Sequence, residues 1–423
     1  MVKKYVLDNG IRIVCEQIPY LRSVSIGIWV GAGSRNESKL NNGVSHFIEH
    51  MLFKGTENRT AKDIAVSIDS IGGQLNAFTG KEYTCYYAKT LDTHIDIAVD
   101  VLSDMFFNSR FDNKDISVEK QVIIEEINMY EDTPEELVHD VLAEIMWDGD
   151  PLGYSILGTY ESLDAIDREK IKSYLTGNYH PNNTVIAIAG NYDEDKMLDL
   201  ITKYFNRWKN EEYNTTDYSP VTYKSGVKLR NKDTEQIHLC VGFNGIENGS
   251  DDIYPLLVVN NVLGGGMSSR LFQKIREEEG LVYSIYSYPS SFKNSGAVTI
   301  YAGMNPGQLE QVSRLIMLEI KQLKNRGISE SELEKSKEQL KGNYMLGLES
   351  TNSRMTSIGK SELVLGYVNT PDEILEKIER VNNDMVNNII NKVFDVEKAC
   401  VAAVGKIKEN IDIASLINID TKI

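Results

Sequence analysis

Short apolar runs that alternate with amphipathic stretches form the main pattern along this chain. The runs VSIGIWVGAG (23–32) and VTIYAG (298–303) are typical of strands, and QLNAFTGKEYTCYYAK (74–89) predicts a hairpin that turns at Gly80. Strands therefore stand beside helices without a regular βαβ alternation. This pattern predicts an α+β fold in which helices pack on one face of a mostly antiparallel sheet.

The pattern occurs twice along the chain. VIAIAG (185–190) and CVAAVG (400–405) are apolar strands that end at a glycine, and each follows a polar helical stretch. An amphipathic helix and then a second helix also recur at matching places in both halves. A polar segment without strand or helix periodicity separates the halves. The repeat predicts two homologous domains and a linker: 1–210, 226–423 and 211–225.

Composition excludes several classes of function. The 423 residues carry a formal net charge of −17, whereas nucleic-acid binding needs a basic surface, so we expect no nucleic-acid partner. No run of about 18 apolar residues occurs, and the N-terminus lacks the apolar stretch of a signal peptide. We therefore expect a cytoplasmic protein without membrane association. Four cysteines far apart in the chain are typical of buried free thiols: Cys15, Cys85, Cys240 and Cys400.

The segment GVSHFIEHMLFKGT predicts a helix with candidate metal ligands, which Asn42 or Ser45 would cap. His46 and His50 are four residues apart and lie about 40° apart on one helix face, a spacing that suits two imidazoles on one zinc ion. Glu49 points to the same side and is placed to take a proton from water at the metal. The alternative is two histidines that share this spacing without a metal.

A third ligand is expected because catalytic zinc usually has three protein ligands and an open position. The predicted helix VEKQVIIEEINMYED offers four glutamates, of which Glu119 and Glu126 share one face and Glu125 is rotated by about 100° from Glu126. A second carboxylate on that face suits the orientation of a ligating histidine. Spacing alone does not choose among these residues and Glu131. The alternative is a set of solvated helix carboxylates.

HFIEHMLFKGT followed by Glu126 resembles the pitrilysin or insulinase family of zinc peptidases, family M16. The chain is similar to the bacterial branch related to the mitochondrial processing peptidase, and the resemblance covers essentially its whole length. It implies that His46, His50 and Glu126 hold one zinc ion per chain. It also implies that Glu49 is the general base and that Glu119 is the accessory catalytic glutamate.

The resemblance further implies residues that bind substrate. Arg276 and Tyr283, in REEEGLVYS, would reach the zinc site from the opposite half and support the substrate and the oxyanion. An edge strand of the predicted hairpin would pair with the backbone of an extended peptide, although an ordinary hairpin has the same periodicity. The residues of that strand are Leu75, Asn76, Ala77 and Phe78.

The second half is expected to lack a metal site. GGMSSRLFQKIR stands where the repeat would place the histidine motif, and Lys341 or a neighbour stands opposite Glu126. The glycine-containing LGGGMSSRLF also lacks the Lys-Ser/Thr of a phosphate-binding loop.

These features together predict a zinc endopeptidase that acts on peptides or unfolded polypeptides. Larger members of the family join four such domains into a closed chamber, so a chain with two is expected to form a homodimer. The alternatives are a non-catalytic scaffold of the same fold and a peptide-binding subunit that acts only beside a related chain.

Overall fold

The predicted strands and helices are present through residues 2–209 and 218–407, which the computed structural model of the chain describes. In chain order the strands are β1 (Val2–Val6), β2 (Arg12–Gln17), β3 (Ser23–Val30), β4 (Gln74–Thr79), β5 (Thr84–Leu91), β6 (Thr184–Gly190), β7 (Gly226–Asn231), β8 (Ile237–Asn244), β9 (Val282–Phe292), β10 (Ser295–Met304) and β11 (Cys400–Gly405). The helices are α1 (Val44–Leu52), α2 (Ala61–Asp69), α3 (Ile95–Asn108), α4 (Asn113–Glu131), α5 (Pro134–Met146), α6 (Tyr160–Asp164), α7 (Arg168–Asn178), α8 (Glu194–Phe205), α9 (Ile253–Gly264), α10 (Leu309–Arg326), α11 (Glu330–Gly347), α12 (Thr351–Leu365), α13 (Pro371–Glu379) and α14 (Asn383–Val393).

The strands form two sheets with the same internal order. The first sheet runs β1-β2-β6-β3-β5-β4 and the second runs β7-β11-β8-β10-β9. Apart from the additional β1, each strand of the first sheet has a counterpart at the same place in the second. The pairs β2–β6 and β7–β11 are parallel, and the other neighbouring pairs are antiparallel. The predicted α+β class with mostly antiparallel sheets is confirmed.

The glycine that ends each repeated strand has the same structural role in both sheets. Gly190 has φ 135° and Gly405 has φ 140°, a backbone conformation that side chains with a Cβ rarely adopt. A Cβ on Gly190 would also lie 2.3 Å from the carbonyl oxygen of Ser23, and one on Gly405 would lie 2.8 Å from that of Gln236. Both strands therefore need glycine where they pass the start of the neighbouring strand.

The chain folds into two compact units that do not follow the order of the sequence. One unit contains residues 2–127, 154–209 and 345–370, and the other contains 128–153, 218–344 and 371–407. Each half of the sequence therefore contributes one segment to the other half's unit. The predicted boundaries 1–210 and 226–423 describe the sequence repeat and stay a prediction. The first part of the predicted linker, residues 211–217, lies outside the described residues.

Helix α12 belongs to the second half of the sequence but packs on the first sheet. Met355 and Ile358 of this helix lie against Trp29 and other buried strand residues. The indole Nε1 of Trp29 lies 3.4 Å from the sulfur of Met355. Glu362 is fully buried and pairs with Lys4 at 2.6 Å. Burial of each large apolar side chain contributes about 1.5–3 kcal/mol, so this helix is an integral part of the first unit.

Helix α5 has the reciprocal position, since it belongs to the first half and packs on the second sheet. Its apolar residues form one core with the strands of that sheet, and a Cβ on Gly242 would lie 2.7 Å from the sulfur of Met146. Glu144 forms an ion pair with Lys228 of β7. One face of each sheet carries helices of its own half, as predicted, and a helix from the other half covers the opposite face.

The structure tests the predictions about the cysteines and about membrane-spanning helices. All four cysteines are buried and free, which confirms the prediction of buried thiols. Among the described residues, none of the helices combines the length and the apolar character that crossing a bilayer requires.

Candidate metal centre

The N-terminus of helix α1 is capped by a residue of the preceding loop, which the helix sequence does not predict. The helix starts after Gly43, whose φ of 89° places it in the left-handed region. The Glu37 carboxylate accepts hydrogen bonds from the backbone N–H groups of Gly43 at 2.7 Å and Ser45 at 2.8 Å. Asn42 donates its side-chain amide to the same carboxylate at 2.9 Å. The prediction that Asn42 or Ser45 caps α1 is therefore wrong, because a buried carboxylate from the preceding loop does so.

His46, His50 and Glu126 converge on one point. The Nε2 atom of His46 lies 3.8 Å from Oε1 of Glu126, and Nε2 of His50 lies 3.7 Å from Oε2. One potential ligand atom from each residue lies within 4.8 Å of the other two. Within residues 2–209 and 218–407, no other group of three histidine, cysteine, aspartate or glutamate side chains has metal-binding geometry.

The donor set and its protonation fit a zinc ion. Tetrahedral zinc with ligands at about 2.0–2.1 Å separates them by roughly 3.3–3.5 Å, close to the separations between Glu126 and the two histidines. Burial, aided by the nearby His50, lowers the pKa of His46 to about 3, so this imidazole is neutral and free to bind metal. The Nδ1 atom of His46 is buried and has no hydrogen-bond partner among the described residues.

Glu119 orients His50 from the same helix that carries Glu126. Its Oε1 lies 2.8 Å from Nδ1 of His50, and its Oε2 lies 2.5 Å from the ammonium of Lys54. Burial acts to raise the pKa of Glu119, but the contacts with His50 and Lys54 outweigh burial and lower it. The ionised carboxylate holds Nδ1 of His50 as the donor, which leaves Nε2 directed at Glu126. Sequence reasoning missed Lys54, although it lies only four residues after His50.

Glu49 lies beside the metal-binding group and contacts β4. The hydroxyl of Thr79 donates to Oε2 of Glu49. Burial raises the pKa of Glu49, and the hydrogen bond from Thr79 acts in the opposite direction. Sequence reasoning also missed Thr79, which is the residue directly after the predicted substrate strand.

The structure distinguishes the four glutamates of α4 that spacing left open. Glu126 faces the two histidines, and Glu119 lies behind His50. Glu125 is exposed. Glu131 lies in the other compact unit, where it pairs with Arg230 at 2.6 Å. One turn of α4 therefore carries the candidate ligand Glu126, and an earlier turn carries Glu119, which supports the candidate ligand His50.

Five of the remaining predicted site residues lie on two edge strands, and Arg276 lies in the helical turn Phe272–Glu278 before the second of them. Leu75, Asn76, Ala77 and Phe78 form most of β4, the last strand of the first sheet. Tyr283 lies in β9, the last strand of the second sheet, and is 77% exposed. The guanidinium of Arg276 lies 4.5 Å from the centre of the Phe272 ring. Arg276 and Tyr283 thus belong to the second unit, whereas the metal-binding group belongs to the first.

Comparison with known proteins gives close relatives over nearly the whole chain. An uncharacterized zinc protease, YmxG, of Bacillus subtilis is 49% identical over 399 residues, which cover 94% of this chain and 97% of the relative. An uncharacterized zinc protease of Streptomyces coelicolor is 38% identical and covers 96% of this chain and 90% of its own length. Residues 12–160 match the family described as insulinase (peptidase family M16), and residues 165–340 match the peptidase M16 inactive domain. The chain belongs to peptidase family M16.

Solved structures share the fold of this chain. A protease from Helicobacter pylori has a TM-score of 0.90 at 21% identity and covers 96% of this chain and 99% of its own. A chain in complex III2 from Candida albicans has a TM-score of 0.86 at 22% identity, with 99% of both chains covered. At these identities the likeness concerns the fold alone.

The second half of this M16 chain has the matching helix without the metal-binding residues. Helix α9 lies between β8 and β9, as α1 lies between β3 and β4, and its sequence IYPLLVVNNVLG contains no histidine, cysteine, aspartate or glutamate. The prediction that GGMSSRLFQKIR occupies this place is wrong, because that segment, residues 265–276, follows α9 and ends within a π-helical turn, Phe272–Glu278. Lys341, on α11, pairs with Glu379 at 2.9 Å.

Proposed function

We propose that the chain is a zinc-dependent endopeptidase that hydrolyses peptides bound in extended form. The observation that carries this proposal is the convergence of His46, His50 and Glu126, with the carboxylate of Glu49 beside them. These three residues would hold one zinc ion per chain. The zinc proteases named among its relatives support the choice of metal.

Glu49 has the role of general base and then general acid in the proposed mechanism. Zinc bound at such a site supplies Lewis acidity and lowers the pKa of water. Glu49 accepts a proton from the attacking water at a carboxylate oxygen and returns that proton to the leaving amine. Glu119, held ionised by Lys54, keeps His50 in the tautomer that directs Nε2 toward the metal.

The open edge of β4 supports binding of an extended substrate. This strand pairs with β5 on one side, from Gln74 opposite Lys89 to Thr79 opposite Thr84. Its other side pairs with no strand among the described residues. A peptide backbone added there would bind through Leu75, Asn76, Ala77 and Phe78. Helix α1 packs on this strand, so the peptide would lie near the metal-binding group.

Two chains would form the working unit. In this proposal Arg276 and Tyr283 of one chain act on peptide bound at the metal centre of the other, and the resulting chamber admits peptides and unfolded polypeptides. The resemblance of this chain to the family supports this arrangement. Sedimentation of an active monomer would contradict it.

Cleavage of a peptide library by the purified chain, with and without a chelator, tests the proposed activity. We expect cleavage that the chelator stops and that added zinc restores. Glu49→Gln should retain zinc and lower the rate by roughly 10²–10⁴-fold, because it removes the general base. Glu126→Gln should weaken zinc binding, with Glu125→Gln on the same helix as the matched control.

Each outcome separates the alternatives. Full activity in Glu49→Gln would refute the assigned base. Zinc binding without cleavage in the wild-type chain would instead indicate a peptide-binding subunit, and rescue by a related chain would establish that role. A chain that binds neither zinc nor peptide would indicate a scaffold.

A further inference from the structure

Thr79 is the last residue of β4, and its side chain meets the candidate base. Its hydroxyl donates a hydrogen bond to Oε2 of Glu49. In the described part of the chain, no other group donates to this carboxylate. Glu49 lies on α1 and Thr79 lies 30 residues further along the chain. The contact therefore joins two elements whose relation only the tertiary structure establishes.

The alternation of β4 explains why Thr79 faces α1. Leu75 and Ala77 are partly buried against the core between the first sheet and its helices, whereas Phe78 packs on the opposite face. Because side chains alternate along a strand, Thr79 lies on the same face as Leu75 and Ala77. The hydroxyl thus stands at the helix side of the sheet, at the end of the strand.

We propose that Thr79 is a positioning residue that holds Glu49 at the end of the strand that binds substrate. This inference rests on the proposed roles of Glu49 and β4. The hydrogen bond uses Oε2 and so leaves Oε1 to accept the proton. A peptide paired with β4 would then have its backbone and the carboxylate aligned by one rigid strand, and catalysis depends on such alignment.

Two substitutions isolate the hydroxyl from the shape of the side chain. Thr79→Val keeps the volume and the β-branch that favour a strand but removes the donor. Thr79→Ser keeps the donor and removes a methyl group. Crystal structures of the zinc-loaded variants should show the Glu49 carboxylate displaced or in several rotamers in Thr79→Val, and in its wild-type position in Thr79→Ser. An unmoved carboxylate in Thr79→Val would overturn the proposal.

Kinetics supply the second measurement. For Thr79→Val we expect a kcat lower by about tenfold or more, with KM and zinc content unchanged, and for Thr79→Ser a kcat within about threefold of wild type. Equal losses in both variants, or a loss that follows zinc content, would assign Thr79 a packing role and overturn the proposal. If the wild-type chain cleaves no peptide, the proposed function fails, and the crystallographic comparison still decides whether Thr79 positions Glu49.

Discussion

The two sheets differ in chemistry although their strand orders match. Helices α1 and α9 stand at the same place in their units, but α1 carries His46, Glu49 and His50, whereas α9 is apolar. The starts of the helices differ too, since a buried Glu37 caps α1, whereas the side chain of Asp252 forms no cap at α9. The repeated scaffold therefore accommodates both a candidate metal-binding helix and an apolar helix at the same place. Function depends on a few side chains placed on it.

The largest expected effect, on zinc binding, comes from replacing a histidine of α1 with asparagine, a residue type that α9 contains. His46→Asn should abolish zinc binding, because only two candidate ligands would remain. We expect no metal after dialysis, and zinc should no longer raise the unfolding temperature. Elemental analysis and thermal unfolding measure both. His94→Asn, a partly exposed histidine, is the control, and retention of zinc by His46→Asn would refute the ligand assignment.

The two crossed helices provide a matched pair of core positions. Met355→Ala in α12 and Met146→Ala in α5 each remove a buried side chain from the opposite face of a sheet. Each should lower the free energy of unfolding by about 2–5 kcal/mol, measured by urea denaturation. A large loss for one variant and none for the other would show that the exchange of helices is not energetically symmetric.

Arg276 tests whether the second half contributes to catalysis across chains. Arg276→Ala should lower kcat/KM by roughly 10²–10³-fold if its guanidinium stabilises the oxyanion. Mixing Arg276→Ala with Glu49→Gln should restore about a quarter of the wild-type activity in a dimer with reciprocal sites. Absence of any recovery after subunit exchange would contradict action across chains.

Glu119 tests the support behind the metal centre. Glu119→Gln removes the ionised partner of His50 and leaves Lys54 without its ion pair. Zinc affinity should fall by about 10–100-fold. Competition with a chromogenic chelator measures this affinity, and the exposed Glu125→Gln should equal wild type. An unchanged affinity in Glu119→Gln would remove Glu119 from the site.

Glu37 gives an effect that is small at any one pH, a dependence of stability on pH. Burial raises the pKa of Glu37 from 4.5 to about 7, despite the hydrogen bonds that Ser45, Asn42 and Gly43 donate. Between these values the folded state holds a proton that the unfolded state has released. The contribution to stability is therefore complete below pH 4.5 and is lost as the pH rises toward 7.

Glu37→Gln isolates this contribution. Between these pH values the wild-type free energy of unfolding should fall, relative to that of the variant, by about 1 kcal/mol for each pH unit. Urea denaturation across the pH series measures the difference. Parallel curves would mean that the hydrogen bonds keep Glu37 ionised, and that its pKa is not raised.

Local patterns accounted for much of the fold and part of the candidate site. Alternation in 74–89 predicted the hairpin, and the spacing of His46 and His50 predicted a shared helix face. The register of α4 against α1 was not predictable, because helical periodicity gives the face of a residue but not the level at which it meets another helix. The choice of Glu126 over Glu131 therefore came from the family resemblance, and the structure supplied its geometry.

The sequence by itself determined the class of the fold, the repeat and the residue types of the metal centre, since each is written in local periodicity and short motifs. Only the tertiary structure decided that α5 and α12 exchange sheets, that Glu37 caps α1 and that Lys54 and Thr79 contact the carboxylates of Glu119 and Glu49. These contacts join residues distant in the chain or on separate elements. Packing sets them, and no local period records which partner a side chain meets.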